Sequence, residues 1–201
     1  MNGKQLKNSI LQWAIQGKLV PQDPNDEPAS VLLERIRAEK ARLVKEKKIK
    51  KDKNESIIYR GEDNSYYEKF LATREVKCID EEIPFEIPAT WEWCRLLSIV
   101  SLLGDGIHGT PEYSEGGSVY FINGNNLFDG QILIKPDTKT VSKEEAVKHS
   151  RLLNESTVLV SINGTIGNIA FYSGENVILG KSACYFNLLN GIERKYIKIV
   201  L

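Results

Sequence analysis

Thr157-Val158-Leu159-Val160-Ser161-Ile162-Asn163-Gly164-Thr165-Ile166-Gly167-Asn168-Ile169-Ala170 is the stretch that decides how this chain folds. Apolar and β-branched residues crowd its flanks, while Asn and Gly crowd its middle, so it reads as strand, tight connection, strand. The same texture continues on both sides. Short runs at 118–122, 131–134, 157–162, 169–172, 177–179 and 183–188 are rich in β-branched and aromatic residues, with Gly, Asn and Pro clusters between them. Such spacing predicts a strand-rich domain. One short helix is expected inside it, because Ser142-x-x-Glu145 has capping-box spacing ahead of Ala146-Val147-Lys148.

Upstream the pattern changes. Ile83-Pro84-Phe85-Glu86-Ile87-Pro88-Ala89-Thr90-Trp91-Glu92-Trp93 carries two prolines among alternating bulky residues, an extended lead-in. Residues 52–82 are polar and read mostly as loop. Further back, Leu6, Ile10, Trp13 and Ala14 form one helical stripe, and Gly17 stands where a left-handed residue would end that helix. A second helix is expected from Ala29 or Ser30 to about Lys51, with Ser30 as its N-cap. Leu32, Leu33, Ile36 and Leu43 give it a narrow seam, suited to one partner helix in the manner of a coiled coil. The fold class is therefore α+β, with a helical scaffold over 1–53, a polar linker over 54–82 and a strand-rich domain over 83–201. An amphipathic segment begins at Glu193, and the chain stops before completing it, as a fragment would.

The chain has 201 residues, 27 Lys and Arg against 27 Asp and Glu, and 41% hydrophobic residues, an ordinary globular composition. The balance is local: residues 1–60 hold 14 basic against 8 acidic side chains, and 61–201 hold 13 against 19. Polyanion binding must therefore be argued segment by segment. No run approaches the length of a transmembrane span, and the N-terminus lacks a secretory signal. Cys78, Cys94 and Cys184 are too few and too scattered for a disulfide framework or zinc ribbon, and suit a reducing cytosol.

Several motifs imitate chemistry. Gly104-x-Gly106-x-x-Gly109 matches a dinucleotide fingerprint, but Thr110-Pro111 and Gly116-Gly117 follow where a helix must open. Gly180-Lys181-Ser182 resembles the end of a phosphate loop, yet five residues rather than four separate Gly174 from Gly180. Asp137, Glu144 and Glu145 superficially resemble a nuclease carboxylate set without the Glu-x-Lys triplet, and read better as surface groups on a capped helix. No catalytic, cofactor or metal site emerges. The polar connections fit nucleic acid better: His108, Thr110, Tyr113, Asn123, Asn125, Asn126, Lys135, Lys139 and Lys181 offer donors, acceptors and cations for base edges and phosphates.

Leu6-x-x-Ser9-Ile10-Leu11-Gln12-x-Ala14-x-Gln16-Gly17-Lys18-Leu19-Val20-Pro21-Gln22, continuing through Glu27-Pro28-Ala29-Ser30-x-Leu32-Leu33-x-x-Ile36, resembles the specificity (S) subunit of type I restriction–modification systems. It is similar to the helical region between that family's two target-recognition domains. Ile87-Pro88-x-x-Trp91-x-Trp93-x-Arg95-Leu96 is similar to the family's domain lead-in, and residues 157–170 to its strand–Gly-Thr-Ile-Gly–strand signature. The resemblance implies a non-catalytic DNA-reading subunit with one recognition domain instead of two, an N-terminal piece or half-subunit. Its implied partners are double-stranded DNA, methylation (M) subunits and restriction (R) subunits. S-adenosylmethionine, ATP and Mg are implied on those partner subunits, in the cytoplasm. A helix of the expected length would span about 33 Å, comparable with the roughly 34–36 Å between half-sites one turn apart. Two rival readings stand beside this one: a metal-dependent nuclease built on Asp137, and a protein-interaction module that binds no DNA.

Overall fold

Asn2 caps the first helix, α1 (Gly3–Ile15), by a reciprocal box: its side chain accepts from the Gln5 amide while Gln5 Oε1 accepts from the Asn2 amide, both at 2.9 Å. Gly17 stops it in the left-handed region, with φ of 67°, as the sequence predicts. This is a computed structural model, and it describes residues 2–201.

Helix α2 (Ala29–Lys45) starts after Pro28, not after the expected Ser30 cap. Proline fixes its own φ near the helical value, so Pro28 leads directly into the first turn without a side-chain cap. The helix also ends six residues before the expected Lys51. Glu46 caps it and Lys47 turns left-handed with φ of 57°. Seventeen residues span about 26 Å, so the ruler is shorter than expected.

The polar stretch expected as loop instead forms an antiparallel sheet of β1 (Ser56–Arg60), β2 (Tyr66–Phe70) and β3 (Val76–Cys78), in the order β1-β2-β3. Its charged residues are internal partners. Glu68 is 4% exposed, and its carboxylate accepts from Arg95 through both oxygens and from the Ser56 hydroxyl at 2.5 Å. Residues 2–99, with Val200, cluster as one unit, and residues 100–199, with Leu201, as a second.

In the second unit, β4 (Val100–Asp105) is followed by β5 (Val119–Ile122), the β6–β7 hairpin (Leu127–Phe128 and Gln131–Ile132) and β8 (Thr140–Val141). After these come α3 (Lys143–Lys148), β9 (Thr157–Ser161), β10 (Ile169–Phe171), β11 (Val177–Leu179), β12 (Ala183–Leu188) and α4 (Arg194–Val200). One antiparallel sheet runs β10-β9-β12-β4 and another β11-β5-β8, with β11 parallel to β5. Central β9 buries Val158 and Leu159, which point to opposite faces, so it reads as a nearly continuous apolar run. The main core gathers Ile122, Leu127, Leu159, Leu179, Ala183 and Tyr185, and a second cluster joins Ile107, Val119, Val141 and Ile178. The buried Thr157 hydroxyl donates to Asn187 Oδ1 at 2.6 Å, and Asn187 Nδ2 donates to the Leu152 carbonyl at 2.8 Å, so these polar groups are satisfied. The observed architecture is α+β.

Candidate nucleic-acid interface

The glycines that imitate cofactor loops serve close packing. A side chain on Gly106 would collide with the Gly180 carbonyl, and one on Gly180 with the Asn123 amide. These approaches draw separate connections of the second unit together. Gly106 donates to the Ala183 carbonyl and Ile107 to the Leu179 carbonyl, pinning the start of the His108–Tyr113 segment beside Gly180. Gly124 donates to Ser182 Oγ at 2.8 Å, and Ser182 Oγ donates to Asn123 Oδ1 at 3.1 Å. The Gly-Thr-Ile-Gly connection joins the same cluster, because Thr165 Oγ1 donates to the Gly124 carbonyl and Ile162 donates its amide to the Ser182 carbonyl.

The sequence-predicted residues divide into presenters and braces. Asn125, Lys135, Lys139 and Lys181 are exposed, and Lys135 Nζ donates to the Asn125 carbonyl at 2.8 Å. His108 and Thr110 are exposed as well; His108 Nε2 pairs with Asp105 Oδ2 at 2.5 Å and holds the Asp105 carboxyl below its ordinary range. Tyr113 is exposed with its ring tilted against Phe121 at 5.9 Å. Asn126 differs. It is 5% exposed, its Oδ1 accepts from the Asn123 amide, and its Nδ2 donates to the Leu133 carbonyl and to Thr138 Oγ1. Its amide is consumed in shaping the turn, as is the Asn123 oxygen.

The residues expected to meet a partner helix lie on α2 with one buried and three partly open. Ile36 is 1% exposed, and Leu32, Leu33 and Leu43 are half-buried. Lys40 Nζ donates to the Leu97 carbonyl at 2.6 Å, and the Ala29 amide donates to the Thr90 carbonyl at 2.9 Å. Helix α2 is thus tied through Lys40 and Ala29 to this chain's own residues 90–97. The open helical face lies on α1, which buries no residue and exposes Leu6, Ile10, Leu11 and Trp13. A cleft of about 290 Å³ lies between α2 and β1, walled by Leu33, Arg37, Ile57, Trp93 and Cys94.

Glu145 occupies the middle of the carboxylate set that imitated a nuclease. It accepts from Lys148 Nζ at 2.7 Å and from the Glu112 amide at 3.0 Å, which pull its carboxyl down to about 2. Ser142 caps α3 by accepting from the Glu145 amide, but the Glu145 side chain serves Glu112 in place of the reciprocal half of the box. Among the described residues, no three acidic, histidine or cysteine side chains group as a metal site, and no helix is long and apolar enough to cross a membrane.

Sequence reasoning overlooked the side chains of the Gly-Thr-Ile-Gly connection. The available signal was an isoleucine between two glycines, in a segment whose neighbours are strand. Gly164 and Gly167 both have positive φ, 77° and 84°, and Ile166 stands 78% exposed between them.

No family model matches the chain. Among curated proteins, the type I restriction enzyme EcoAI specificity subunit of Escherichia coli is 35% identical over 98% of this chain and 31% of its own length. The EcoEI specificity subunit of Escherichia coli is 30% identical over the same shares. The chain therefore spans about a third of the length of these curated relatives. The agreement runs through both units, so it rests on the helical segment and the strand-rich domain together. On that likeness, the chain is similar, over both of its units, to about a third of a type I restriction enzyme specificity subunit.

Proposed function

We propose that this chain reads one half of a bipartite DNA target for a type I restriction–modification assembly and performs no covalent chemistry itself. The observation that carries this reading is the convergence of polar connections around Gly124, Gly180 and Ser182. Such a cluster offers amides and hydroxyls for base edges and ammonium groups for phosphates. Asn125, Lys135 and Lys181 stand at its centre, with Lys139 and the His108–Tyr113 segment flanking it, while Asn123 and Asn126 hold its shape. Methylation and restriction subunits are the catalytic partners. They carry S-adenosylmethionine, ATP and Mg, and the assembly works in the cytoplasm. The exposed apolar stripe of α1 is the surface best suited to meet a partner helix.

The test is enrichment of duplexes from a randomised library by the purified chain at low salt, with and without methylation subunits. Recovery of a short common half-site is the expected result. Binding with no base preference overturns the reading. Mg-dependent cleavage by the pure chain, abolished by Asp137→Ala, would replace it with the nuclease.

A further inference from the structure

Asn125 stands in the middle of the three-residue turn Gly124–Asn126, exposed between two buried neighbours. Both sides of it are tied down. Gly124 donates to Ser182 Oγ and accepts from Thr165 Oγ1, and a side chain on Gly124 would collide with Ser161 Oγ. The Asn126 amide donates to the Asn123 carbonyl at 2.9 Å, and its carbonyl accepts from the Leu133 amide at 2.7 Å. The Asn125 carbonyl is itself held by Lys135 Nζ. The backbone at Asn125 is thus fixed by the fold, while its side-chain amide has no hydrogen-bond partner among the described residues. A polar group presented on an ordered backbone loses little freedom on binding, which favours affinity and selectivity.

The other amides of the cluster are placed differently. Asn123 and Asn126 spend their side-chain oxygens inside the turn and on Ser182. Asn163 is exposed, but it lies in an exposed run from Ile162 to Gly167, with no buried neighbour on either side. A carboxamide presents a donor and an acceptor side by side. In the major groove, guanine offers two acceptors, cytosine a donor and thymine an acceptor beside its methyl group; adenine alone pairs an acceptor, N7, with a donor, N6. Leu133 and Ile134 are exposed beside the turn and supply the apolar surface that suits the methyl group of adenine's partner, thymine.

We propose that Asn125 is a specificity-determining residue that reads one adenine in the major groove, its Oδ1 accepting from N6 and its Nδ2 donating to N7. This rests on the proposed DNA-reading function and assigns one base of its target. The experiment takes the duplex enriched by the chain and replaces each adenine in turn. One replacement is 7-deazaadenine, which removes the N7 acceptor; the other is 3-deazaadenine, which removes the minor-groove N3 acceptor. Binding is measured by fluorescence anisotropy for the natural chain, Asn125→Ala, and Asn163→Ala as the exposed amide of the neighbouring connection.

The natural chain and Asn163→Ala should lose about fivefold in affinity at one adenine on 7-deaza substitution, the worth of one hydrogen bond. Substitution by 3-deazaadenine at that position should change nothing. Asn125→Ala should bind the unmodified duplex about thirtyfold weaker and be indifferent to 7-deazaadenine there. Its near-ultraviolet circular dichroism should match the natural chain, because the amide it removes holds nothing in the fold. Asn125→Asp, offered the randomised library afresh, should select cytosine at that position, because a carboxylate accepts from N4 and has no proton to give N7. The assignment falls, while DNA reading stands, if Asn125→Ala remains as sensitive as the natural chain, or if Asn125→Asp still selects adenine. It falls equally if no adenine responds, if the response is to 3-deazaadenine, or if Asn163→Ala is the variant that loses it. If no duplex is enriched at all, DNA reading itself falls and takes the assignment with it.

Discussion

Glu68 is a carboxylate almost without access to water, and its stability rests on Arg95. The guanidinium donates to both oxygens, the Ser56 hydroxyl adds a third donor, and together they hold the carboxyl below its ordinary range against the opposing effect of burial. Arg95 also reaches Glu82 at 2.8 Å, which binds Lys77 at 3.0 Å. Arg95 itself is partly exposed, so solvent screens the loss of its charge. Arg95→Ala should therefore destabilise by about 2 kcal/mol, chiefly from the carboxylate left unpaired. Urea denaturation should show a lower midpoint with an unchanged slope. Glu145 allows a pH prediction. Its folded carboxyl is lowered from 4.5 to about 2 by Lys148 and the Glu112 amide, so its contribution is complete above pH 4.5 and lost as pH falls towards 2. Glu145→Gln should flatten the acid limb of the thermal-stability profile in that window and leave the neutral-pH dependence alone. A Glu145→Gln profile as steep as the natural one would refute the assignment.

At the scale of elements, Gly17 decides how α1 leaves the chain. Its φ of 67° suits glycine, and a side chain there would sit 2.5 Å from Pro88 Cγ. The exit is held further by Gln22, whose Nε2 donates to the Gly17 carbonyl at 2.9 Å and whose Oε1 accepts from Trp91 Nε1 at 2.8 Å. Gly17→Ala should cost at least about 1 kcal/mol in backbone strain alone and loosen α1. Hydrogen exchange should quicken in the amides of α1 while those of β9 and β12 stay protected. This glycine is readable in the sequence because a left-handed stop follows an apolar stripe. The strands of the second unit are readable for a related reason, since β9 and β12 are runs of β-branched and aromatic residues whose pattern survives without tertiary information. β1–β3 are not, because Glu68 and Lys69 look like solvent-facing residues until Arg95 appears beside Glu68 twenty-seven positions away. β4 is hidden by the Leu102-Leu103-Gly104 texture, in which Gly104 seems a loop residue but is the strand position that clears the Tyr185 ring. The polar connections of the candidate interface are legible one at a time from composition. Their meeting at Gly124 and Ser182 is set by close approaches between strand ends that no local pattern encodes.

At the scale of the molecule, electrical neutrality limits how DNA can be held. Residues 100–201 carry 9 Lys and Arg against 10 Asp and Glu, so the unit that presents the polar cluster has no basic field to draw in a polyanion. Of those cations, Lys148 and Lys198 are paired with Glu145 and Asp129, and Arg194 donates to the Tyr172 carbonyl. Arg151 donates to the Asp105 carbonyl, and the exposed Lys143 and Lys195 lie on α3 and α4. This leaves Lys135, Lys139 and Lys181 as the exposed cations on or beside the cluster's connections. Three phosphate contacts release few counterions, and each contributes about −0.9 to the slope of log affinity against log salt. The isolated chain should therefore show a slope of about −3, far shallower than a reader that depends on phosphates. Each single Lys→Ala change at 135, 139 or 181 should lower the magnitude by about 1 and weaken all sequences alike. A change at Asn125 should instead alter which sequence is preferred and leave the slope unchanged, because base-edge contacts displace no counterion. Titrations at 50, 100 and 200 mM salt separate the two classes. A slope that stays near −3 after all three lysines are removed would mean that the phosphates are met elsewhere, with the basic run after α2, from Lys47 to Lys53, as the next segment to neutralise.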